Sequence, residues 1–314
     1  MFIIITGGLG FIGSHLAEHF SKKGHLICIM DSFNVQHFTF QKIHRGSKGL
    51  QDINEIEYKH RLQAYHYRRN LGQRSQYHRL WSYELEFWPM KTPDLIINCG
   101  SLAEAVLSQH YNRFCFDSIV KGAEKIKKFF PKVPTIHFSS SMVYGTWDDS
   151  ITEESRIHPV DWYGTCKAKS ELTFKRKRDI VLRPIHVFSF GDGKYPLPMN
   201  IERQVVADKP VKIEYADCIY IKDLVSLIDK IVENFQPGTY NISAEYRREA
   251  SLVQQYAKEI LNIPIEVENK LGPTGEPRGM LDSSKVKKTF KWEPQYLTYE
   301  EAIKDYFEEF ISIT

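Results

Sequence analysis

The sequence has no strong excess of charge of either sign, and this sets the first limits on its function. Against 39 Asp and Glu stand 42 Lys and Arg, which leaves a formal net charge of only +3 over 314 residues. Such a small excess gives no electrostatic support for a polyanionic partner such as nucleic acid. At this length the chain can form one large or two fused domains with a substantial core, which is compatible with an enzyme.

Cysteine is scarce, and long apolar runs are missing. The five cysteines are odd in number and widely spaced, without the paired spacing of a zinc site, so we expect reduced thiols, no metal centre and a cytosolic location. No stretch approaches the roughly 20 apolar residues of a membrane span. The first residues, MFIIITGG, carry no basic leader, so we expect neither a signal peptide nor a membrane anchor.

What the sequence does contain begins with two apolar runs joined by a glycine turn. Residues 2–5 predict a buried strand, residues 11–23 a helix stopped by Gly24, and residues 26–30 a second strand ending at Asp31. Further strand candidates at 95–98, 135–139 and 180–182 alternate with segments that can hold helices. The alternation predicts an α/β fold of the Rossmann type, with a doubly wound parallel sheet.

The composition changes near Gly191, where turn formers and prolines become frequent. We therefore expect a Rossmann domain over residues 1–185 and a smaller α/β domain for substrate over residues 186–314. A strand at 240–242 and helices at 251–260 and 299–311 are predicted in this second part, and some of its segments are expected to return to the Rossmann sheet.

An unusual insertion separates the second and third predicted strands, over about residues 33–90. Within it, residues 52–81 place apolar side chains at helical spacing and carry several arginines. The favoured interpretation is a solvated amphipathic helix. The alternative is a basic lid over phosphates or nucleic acid, which requires the charges to cluster on one face.

The string TGGLGFIG carries the first functional motif, because it follows a strand and opens a helix. Gly7 permits a tight turn, Gly10 allows the backbone to approach a pyrophosphate, and Gly13 allows close packing of helix on strand. The helix N-terminus offers N–H groups to the phosphates. Asp31, at the end of the second strand, is placed to accept hydrogen bonds from ribose hydroxyls and to repel a 2′-phosphate. The motif therefore predicts an NAD site.

A second motif combines Tyr163 and Lys167, four residues apart, with three serines at the end of a strand. On a helix this spacing puts both side chains on one face, where a lysine cation can lower the pKa of the phenol from about 10 toward neutrality. Such a tyrosine can exchange a proton with a substrate hydroxyl. Parallel sheets bind ligands at the edge where these serines lie.

Together TGGLGFIG with Asp31, HFSSSMVYG and YGTCK resemble the extended short-chain dehydrogenase/reductases, the NAD-dependent epimerase/dehydratase family. The likeness continues through LRP at 182–184, IYIKDL at 219–224, YNIS at 240–243 and the tail DSSKVKKTFKWEP. It spans most of the chain outside about residues 33–90. The resemblance implies hydride transfer between a sugar carbon and NAD, a transient ketone, and a nucleotide-sugar substrate.

By the same resemblance, Tyr163 is the acid and base, Lys167 orients the nicotinamide ribose, and Ser140 hydrogen-bonds the reacting oxygen, with Ser139 or Ser141 as alternatives. Substrate contacts are expected at Ser141, His186 and Arg278, and His186 is equally well read as a buried, hydrogen-bonded histidine. A homodimer is implied through the Tyr163 helix and the long helix at about 102–128. The expected NAD contacts are Gly7, Gly10, Phe11, Ile12, Gly13, Asp31, Ser32, Ser101, Tyr163 and Lys167.

The residues before ValTyrGly distinguish the reactions of the family. Its 4,6-dehydratases resemble Thr-Asp-Glu there and its decarboxylases Thr-Ser-Glu, whereas this chain has Ser140, Ser141 and Met142. Without that carboxylate, elimination lacks its usual acid and base, so 4-epimerisation is predicted. A dehydratase, decarboxylase or reductase is the alternative within enzymes. A dinucleotide-sensing or RNA-binding protein is the alternative outside them, and the retained Tyr163 and Lys167 oppose it.

Three departures from the family pattern fall on substrate and cofactor contacts. The family usually has Asn at the position of His186, Arg at that of Ala216 and Asn near Ile119. The Arg ordinarily pairs with the nucleotide diphosphate. An acidic adenine contact is also not recognisable within residues 52–81. Glu171, one helical turn after Lys167, is predicted to pair with Lys167 or Lys175.

Overall fold

The computed structural model of the chain describes residues 1–8, 10–31, 75–79, 92–101, 105–147, 150–175, 177–189, 211–214, 216–262, 266–270 and 279–313. The predicted contacts Ser32 and Arg278, and residues 52–74 of the basic insertion, lie outside these ranges. By their contacts the residues divide into two units, the first formed by Met1–Val143 with Pro159–Val181 and the second by Tyr144–His158 with Leu182–Thr314.

The first unit begins with the predicted strand, helix and strand. Apolar side chains buried on both faces drive Phe2 to Thr6 into a strand, and the helix that follows buries Leu16, Ala17 and Phe20. The bounds are β1 Phe2–Thr6, α1 Phe11–Lys22, β2 Leu26–Asp31, β3 Ser75–Arg79, β4 Leu95–Asn98, α2 Ala105–His110, α3 Asn112–Phe116, α4 Gly122–Phe129, β5 Thr135–Phe138 and α5 Trp162–Glu171. A π-helical turn, Asp117–Lys121, joins α3 to α4, and a short 3-10 turn, Ser141–Tyr144, follows β5.

The sheet of the first unit is parallel wherever its pairing is described. Its strand order is β6-β5-β4-β1-β2-β3, where β6 is Ile180–Pro184. In register, Thr6 lies opposite Asn98, and Asn98 lies opposite His137. Thr6 ends β1, Asn98 ends β4, and His137 is the last but one residue of β5. Their side chains therefore form one row across the carboxyl edge of the sheet. The predicted doubly wound Rossmann fold is confirmed.

Strand β3 corrects part of the predicted insertion helix. Residues 75–79, at the end of the segment predicted to be helical, pair in parallel with β2 from Ile27 opposite Ser75 to Asp31 opposite Arg79. The backbone N–H and C=O groups at the edge of the sheet provide hydrogen-bond partners for this segment. Pairing with them favours a strand over the helix that the spacing of the side chains predicts.

The second unit mixes strands and helices as predicted. Strand β9 (Asp217–Tyr220) lies between β11 (Tyr246–Arg247) and β7 (His186–Phe188) in a three-stranded sheet, and β12 (Val267–Lys270) pairs with β8 (Val211–Glu214). Apolar residues at helical spacing bury one face of α6, including Leu224, Leu227 and Ile231. The bounds are β7 His186–Phe188, β8 Val211–Glu214, β9 Asp217–Tyr220, α6 Ile221–Glu233, β10 Gly238–Ile242, β11 Tyr246–Arg247, α7 Ala250–Leu261, β12 Val267–Lys270, α8 Ser284–Phe290 and α9 Tyr299–Ile313.

Two kinds of feature are absent from the residues described above, a membrane-spanning helix and a metal cluster. Within them, every helix is too short or too polar to cross a bilayer. No group of three or more His, Cys, Asp or Glu in the same residues is arranged to hold a metal ion.

Candidate functional site

The glycine turn between β1 and α1 has the geometry that a dinucleotide site requires. Gly7 adopts φ +64°, and its N–H donates to the Met30 carbonyl oxygen at 2.7 Å, which ties the turn to β2. A Cβ added at Gly13 would collide with the Gly7 carbonyl, so the first turn of α1 packs directly on the glycine turn. Among the described residues, a Cβ at Gly10 would meet only the Gly7 carbonyl oxygen, at 3.1 Å, so these residues leave the Gly10 face open to a ligand.

The N-terminus of α1 lies at this open face. Gly10 caps the helix in an extended conformation and supplies no side-chain hydrogen bond to the first turn, which contains Phe11, Ile12 and Gly13 and no acidic residue. The helix dipole and the first-turn N–H groups therefore favour an anion there. The residues present fit the pyrophosphate of NAD.

Asp31 occupies the predicted position at the carboxyl end of β2, and its side chain is half-buried. Strand β1 runs parallel to β2, so Asp31 lies at the same edge of the sheet as the glycine turn. This placement is compatible with ribose recognition, which stays a prediction.

Helix α5 carries Tyr163 and Lys167 and has a well-formed start. The Asp161 carboxylate caps it by accepting a hydrogen bond from the Gly164 N–H at 2.6 Å. The helix thus begins one residue before Tyr163, and its spacing places Tyr163 and Lys167 one turn apart on the same side.

Tyr163 meets Ser140 at the end of β5. The two side chains are hydrogen-bonded, and the same Ser140 hydroxyl accepts from the Met142 N–H at 3.2 Å in the turn that follows the strand. Burial raises the pKa of the Tyr163 phenol, while the hydrogen bond with Ser140 opposes this rise. The structure therefore favours Ser140 over its two neighbours as the partner of Tyr163.

Lys167 is buried, and its ammonium group is held by two oxygens. Nζ donates to the Phe138 carbonyl at 2.7 Å and to the Ser101 hydroxyl at 3.0 Å, and it lies 5.6 Å from the centre of the Tyr163 ring. Burial lowers the pKa of Lys167 to about 8, against the opposing effect of Cys99.

The predicted lowering of the tyrosine pKa by Lys167 is wrong for this arrangement. Burial dominates and raises the pKa of Tyr163, and Ser140, not the lysine, provides the opposing effect. The reason is geometric, because the ammonium donates to Phe138 and Ser101 and faces the phenol ring.

The remaining serines have different partners. Ser139 is buried and donates to the Glu171 carboxylate at 2.6 Å. Glu171 was predicted as an ion-pair partner for a lysine on its own helix. In the structure it is buried and accepts from Ser139, directly after β5, although its charge also raises the pKa of Lys167. Ser141 begins the 3-10 turn and is buried as well.

Of the predicted substrate contacts, His186 lies in the second unit. It begins β7 and is half-buried, in register with Cys218 of β9. Its role in binding stays a prediction. Ala216, at the position of the family arginine, is buried just before β9.

The sequence interpretation missed the polar residues beneath the motifs. Thr6, Asn98 and His137 are buried side by side on three strands, and Ser170 is a buried residue of the Tyr163 helix. A histidine in TIHF, a short strand predicted to be buried in the sheet, is a usable signal, since a buried polar group requires a partner.

Comparison with known proteins gives a family and a fold. A family model, described as the NAD dependent epimerase/dehydratase family, matches residues 3–243. Among curated proteins, the chain is 26% identical to Protein CapI of Staphylococcus aureus over 249 residues, which are 74% of this chain and 70% of that protein. A 30-residue stretch, 10% of this chain and 9% of the relative, is 63% identical to a UDP-N-acetyl-alpha-D-glucosaminuronate decarboxylase of Bacillus cytotoxicus.

Solved structures with the same fold include enzymes of more than one reaction. A UDP-N-acetylglucosamine 4-epimerase of Methanobrevibacter ruminantium superposes with a TM-score of 0.75 at 20% identity, covering 99% of this chain and 98% of that one. A dTDP-glucose 4,6-dehydratase of Bacillus anthracis, in complex with NAD, gives a TM-score of 0.73 at 19% identity and covers 99% and 97%. At such identities the likeness establishes the fold.

Proposed function

This chain belongs to the NAD dependent epimerase/dehydratase family, and on that premise we propose that it epimerises a nucleotide-linked sugar at C4 through a transient ketone. It is an NAD-dependent enzyme of the extended short-chain dehydrogenase/reductase class. NAD, when bound, supplies the hydride acceptor and donor. The protein's part is to hold the sugar, move the hydroxyl proton and exclude side reactions.

The observation that carries the proposal is the hydrogen bond between Tyr163 and Ser140 beside the buried Lys167. A phenol and a serine hydroxyl at one point can both contact the same substrate oxygen. Tyr163 would take the proton from that hydroxyl and return it to the ketone, and Ser140 would hold the oxygen. Burial raises the pKa of Tyr163 and so disfavours the phenolate that takes this proton, whereas the hydrogen bond with Ser140 lowers the pKa and favours it.

The residues after Ser140 favour epimerisation over elimination. Ser141 and Met142 stand where an acid would serve dehydration, and both belong to the turn that starts next to Tyr163's partner. Neither side chain can act as a carboxylate acid or base. A reaction that needs only removal and return of one proton and one hydride fits this set.

Decarboxylation of a nucleotide-linked uronic acid is the second candidate. The short stretch that is 63% identical to a decarboxylase favours it. Oxidation at C4 is common to both reactions in this mechanism, so the candidates differ in the product. Dehydration and simple reduction are the remaining alternatives within the class.

Product mass separates these reactions. Purified protein with NAD should be incubated with UDP- and dTDP-linked hexoses, N-acetylhexosamines and uronic acids. Epimerisation gives a product of unchanged mass with an inverted C4 by NMR, whereas decarboxylation loses CO2 and dehydration loses water. A product of altered mass, or no product across the panel, contradicts epimerisation.

Replacing Tyr163 tests its assigned role. Tyr163→Phe should lower kcat by at least about 100-fold, since a positioned acid and base contributes roughly that much, while the Kd for NAD changes less than about threefold. The matched control, Thr165→Ser, lies on the same helix and should keep its turnover. If Tyr163→Phe loses NAD affinity as strongly as turnover, the assigned role is wrong.

We extend the proposal to a homodimer that uses α3, α4 and α5. The likeness to the family supports it, and two apolar side chains are exposed here, Trp162 at the start of α5 and Leu172 directly after its end. Light scattering should give about twice the 36.7 kDa chain mass. A monomer at micromolar concentration would contradict it.

A further inference from the structure

The polar residues beneath the site form a closed ring of hydrogen bonds around the edge of the first unit's sheet. The Thr6 hydroxyl donates to Asn98 Oδ1 at 2.6 Å, and Asn98 Nδ2 donates to His137 Nδ1 at 3.0 Å. His137 Nε2 lies 2.9 Å from the Ser170 hydroxyl, which donates to the Lys167 carbonyl at 2.7 Å.

The ring closes through the lysine side chain. Lys167 Nζ donates to Ser101 Oγ at 3.0 Å. The residue before Ser101, Gly100, donates its N–H to Thr6 Oγ1 at 3.2 Å, and Thr6 directly precedes the glycine turn. The ring therefore connects the NAD turn, the ends of β4 and β5, and the helix that carries Tyr163.

His137 is the point where the sheet meets the helix. It accepts from Asn98 at Nδ1, so its proton is on Nε2 and is donated to Ser170. Burial, with a smaller effect of the Lys167 charge, holds the pKa of His137 well below its usual value, so the imidazole stays neutral. Its ring also stacks on Phe174, with centroids 4.2 Å apart.

The last two residues of β5 and the residue after them thereby hold three residues of α5. His137 bonds Ser170, the Phe138 carbonyl accepts from Lys167, and Ser139 donates to Glu171. The first of these contacts continues into the sheet through Asn98, and Lys167 also reaches the segment after β4 through Ser101. Loss of the His137 link would leave α5 held by β5 and, through Ser101, by the segment after β4, but without the side-chain connection to Asn98 and Thr6.

We propose that His137 is a positioning residue, which fixes Lys167 relative to the glycine turn through the bonds to Asn98 and Ser170. Its importance for turnover rests on the proposed function, whereas its control of Lys167 does not. A displacement of about 1 Å in such a group can cost up to about 100-fold in rate.

Two substitutions separate the two bonds of His137. His137→Gln keeps a donor near the Nε2 position and loses the bond from Asn98, whereas His137→Asn keeps an acceptor near Nδ1 and loses the bond to Ser170. Ser170→Ala removes the bond between His137 and Ser170 by changing the smaller of the two residues. It replaces His137→Asn in the experiment if that variant does not fold. Phe174→Leu is the control, because it removes the stacked ring without touching the hydrogen bonds.

The readouts are kcat and KM, the Kd for NAD, the melting temperature, and the titration of Lys167 by NMR of isotopically labelled lysine without NAD. In His137→Asn and Ser170→Ala we expect kcat to fall about 10-fold or more at little change in sugar KM. The pKa of Lys167 should rise from about 8 toward the roughly 10.4 of a free lysine, as its burial loosens. Phe174→Leu should lower the melting temperature and leave both quantities unchanged.

The outcomes distinguish this proposal from the reaction itself. If no sugar is converted by the parent protein but the Lys167 titration shifts in His137→Asn or Ser170→Ala and not in Phe174→Leu, positioning stands while epimerisation fails. If all variants merely lose stability, with kcat and the Lys167 titration as in the parent, His137 has a structural role only and the proposal is overturned.

Discussion

Buried polar groups are arranged in opposite ways in two regions of this molecule. In the ring of the first unit, the side chains of Thr6, Asn98, His137 and Ser170 are all hydrogen-bonded. In the second unit, Asp223 Oδ2 and the Tyr299 hydroxyl are buried and have no partner among the residues that the structure describes. A satisfied network fixes positions at small cost, whereas an unpartnered group lowers stability.

The largest effect should follow from breaking the ring at Asn98. Asn98→Leu leaves the Thr6 hydroxyl hydrogen and His137 Nδ1 without partners, and we expect a loss of about 3 kcal/mol of unfolding free energy. Urea unfolding measures it. The control is Ile97→Val on the same strand, which should cost about 1 kcal/mol. A loss for Asn98→Leu no greater than the control would mean that the ring contributes no stability.

Removal of charge at Asp223 should have the opposite sign. Burial, then the charges of Asp305 and Glu301, raise the pKa of Asp223 to about 6 against the N–H groups of Gln295 and Tyr296. Unfolded aspartate has a pKa of about 3.9. The contribution of Asp223 to the free energy of unfolding is therefore full below that pH and is lost as pH rises through 6. Asp223→Asn should therefore stabilise the chain by about 1 kcal/mol at pH 7.5.

The pH dependence provides the check on Asp223. The difference in melting temperature between Asp223→Asn and the parent should shrink between pH 7.5 and pH 5, as the parent carboxyl takes up its proton. Asp217, whose pKa burial also raises to about 6, is present in both proteins and cancels from the comparison. A variant that melts below the parent at pH 7.5 would contradict the expected sign.

The smallest effect is expected at Tyr299. Tyr299→Phe removes a buried hydroxyl and keeps the ring contacts with Phe188 and Tyr246, so stability should stay equal or rise by up to about 1 kcal/mol. Tyr144→Phe is the matched control. Its hydroxyl donates to Asn241 at 2.7 Å and accepts from Arg183 at 2.7 Å, so that variant should be destabilised. Equal losses of stability in Tyr299→Phe and Tyr144→Phe would contradict the expected difference between the two hydroxyl groups.

Local pattern was sufficient to predict the βαβ unit, the NAD turn and the family. The backbone geometry of the turn requires Gly7 and Gly13, which lie within seven residues of one another. Asp31 is recognised because it stands at the end of a strand. Such features depend on neighbours in the chain, so the sequence displays them directly. The family match over residues 3–243 agrees with the predicted resemblance.

The partners of the site residues were decided by tertiary structure. Spacing indicated that Lys167 shares a helix face with Tyr163, but burial and the oxygens of Phe138 and Ser101 determine where its ammonium points. Glu171 accepts from Ser139, although a lysine lies within one helical turn of it.

Sequence by itself determined the βαβ unit, the glycine turn and the pair of residues for proton transfer. Only the tertiary structure decided which serine meets Tyr163, why its pKa rises, and that His137 joins three strands to the helix. The physical reason is that spacing reports contacts within one element. Desolvation and hydrogen bonds between strands that lie 39 or 92 residues apart in the chain exist only after the sheet has formed.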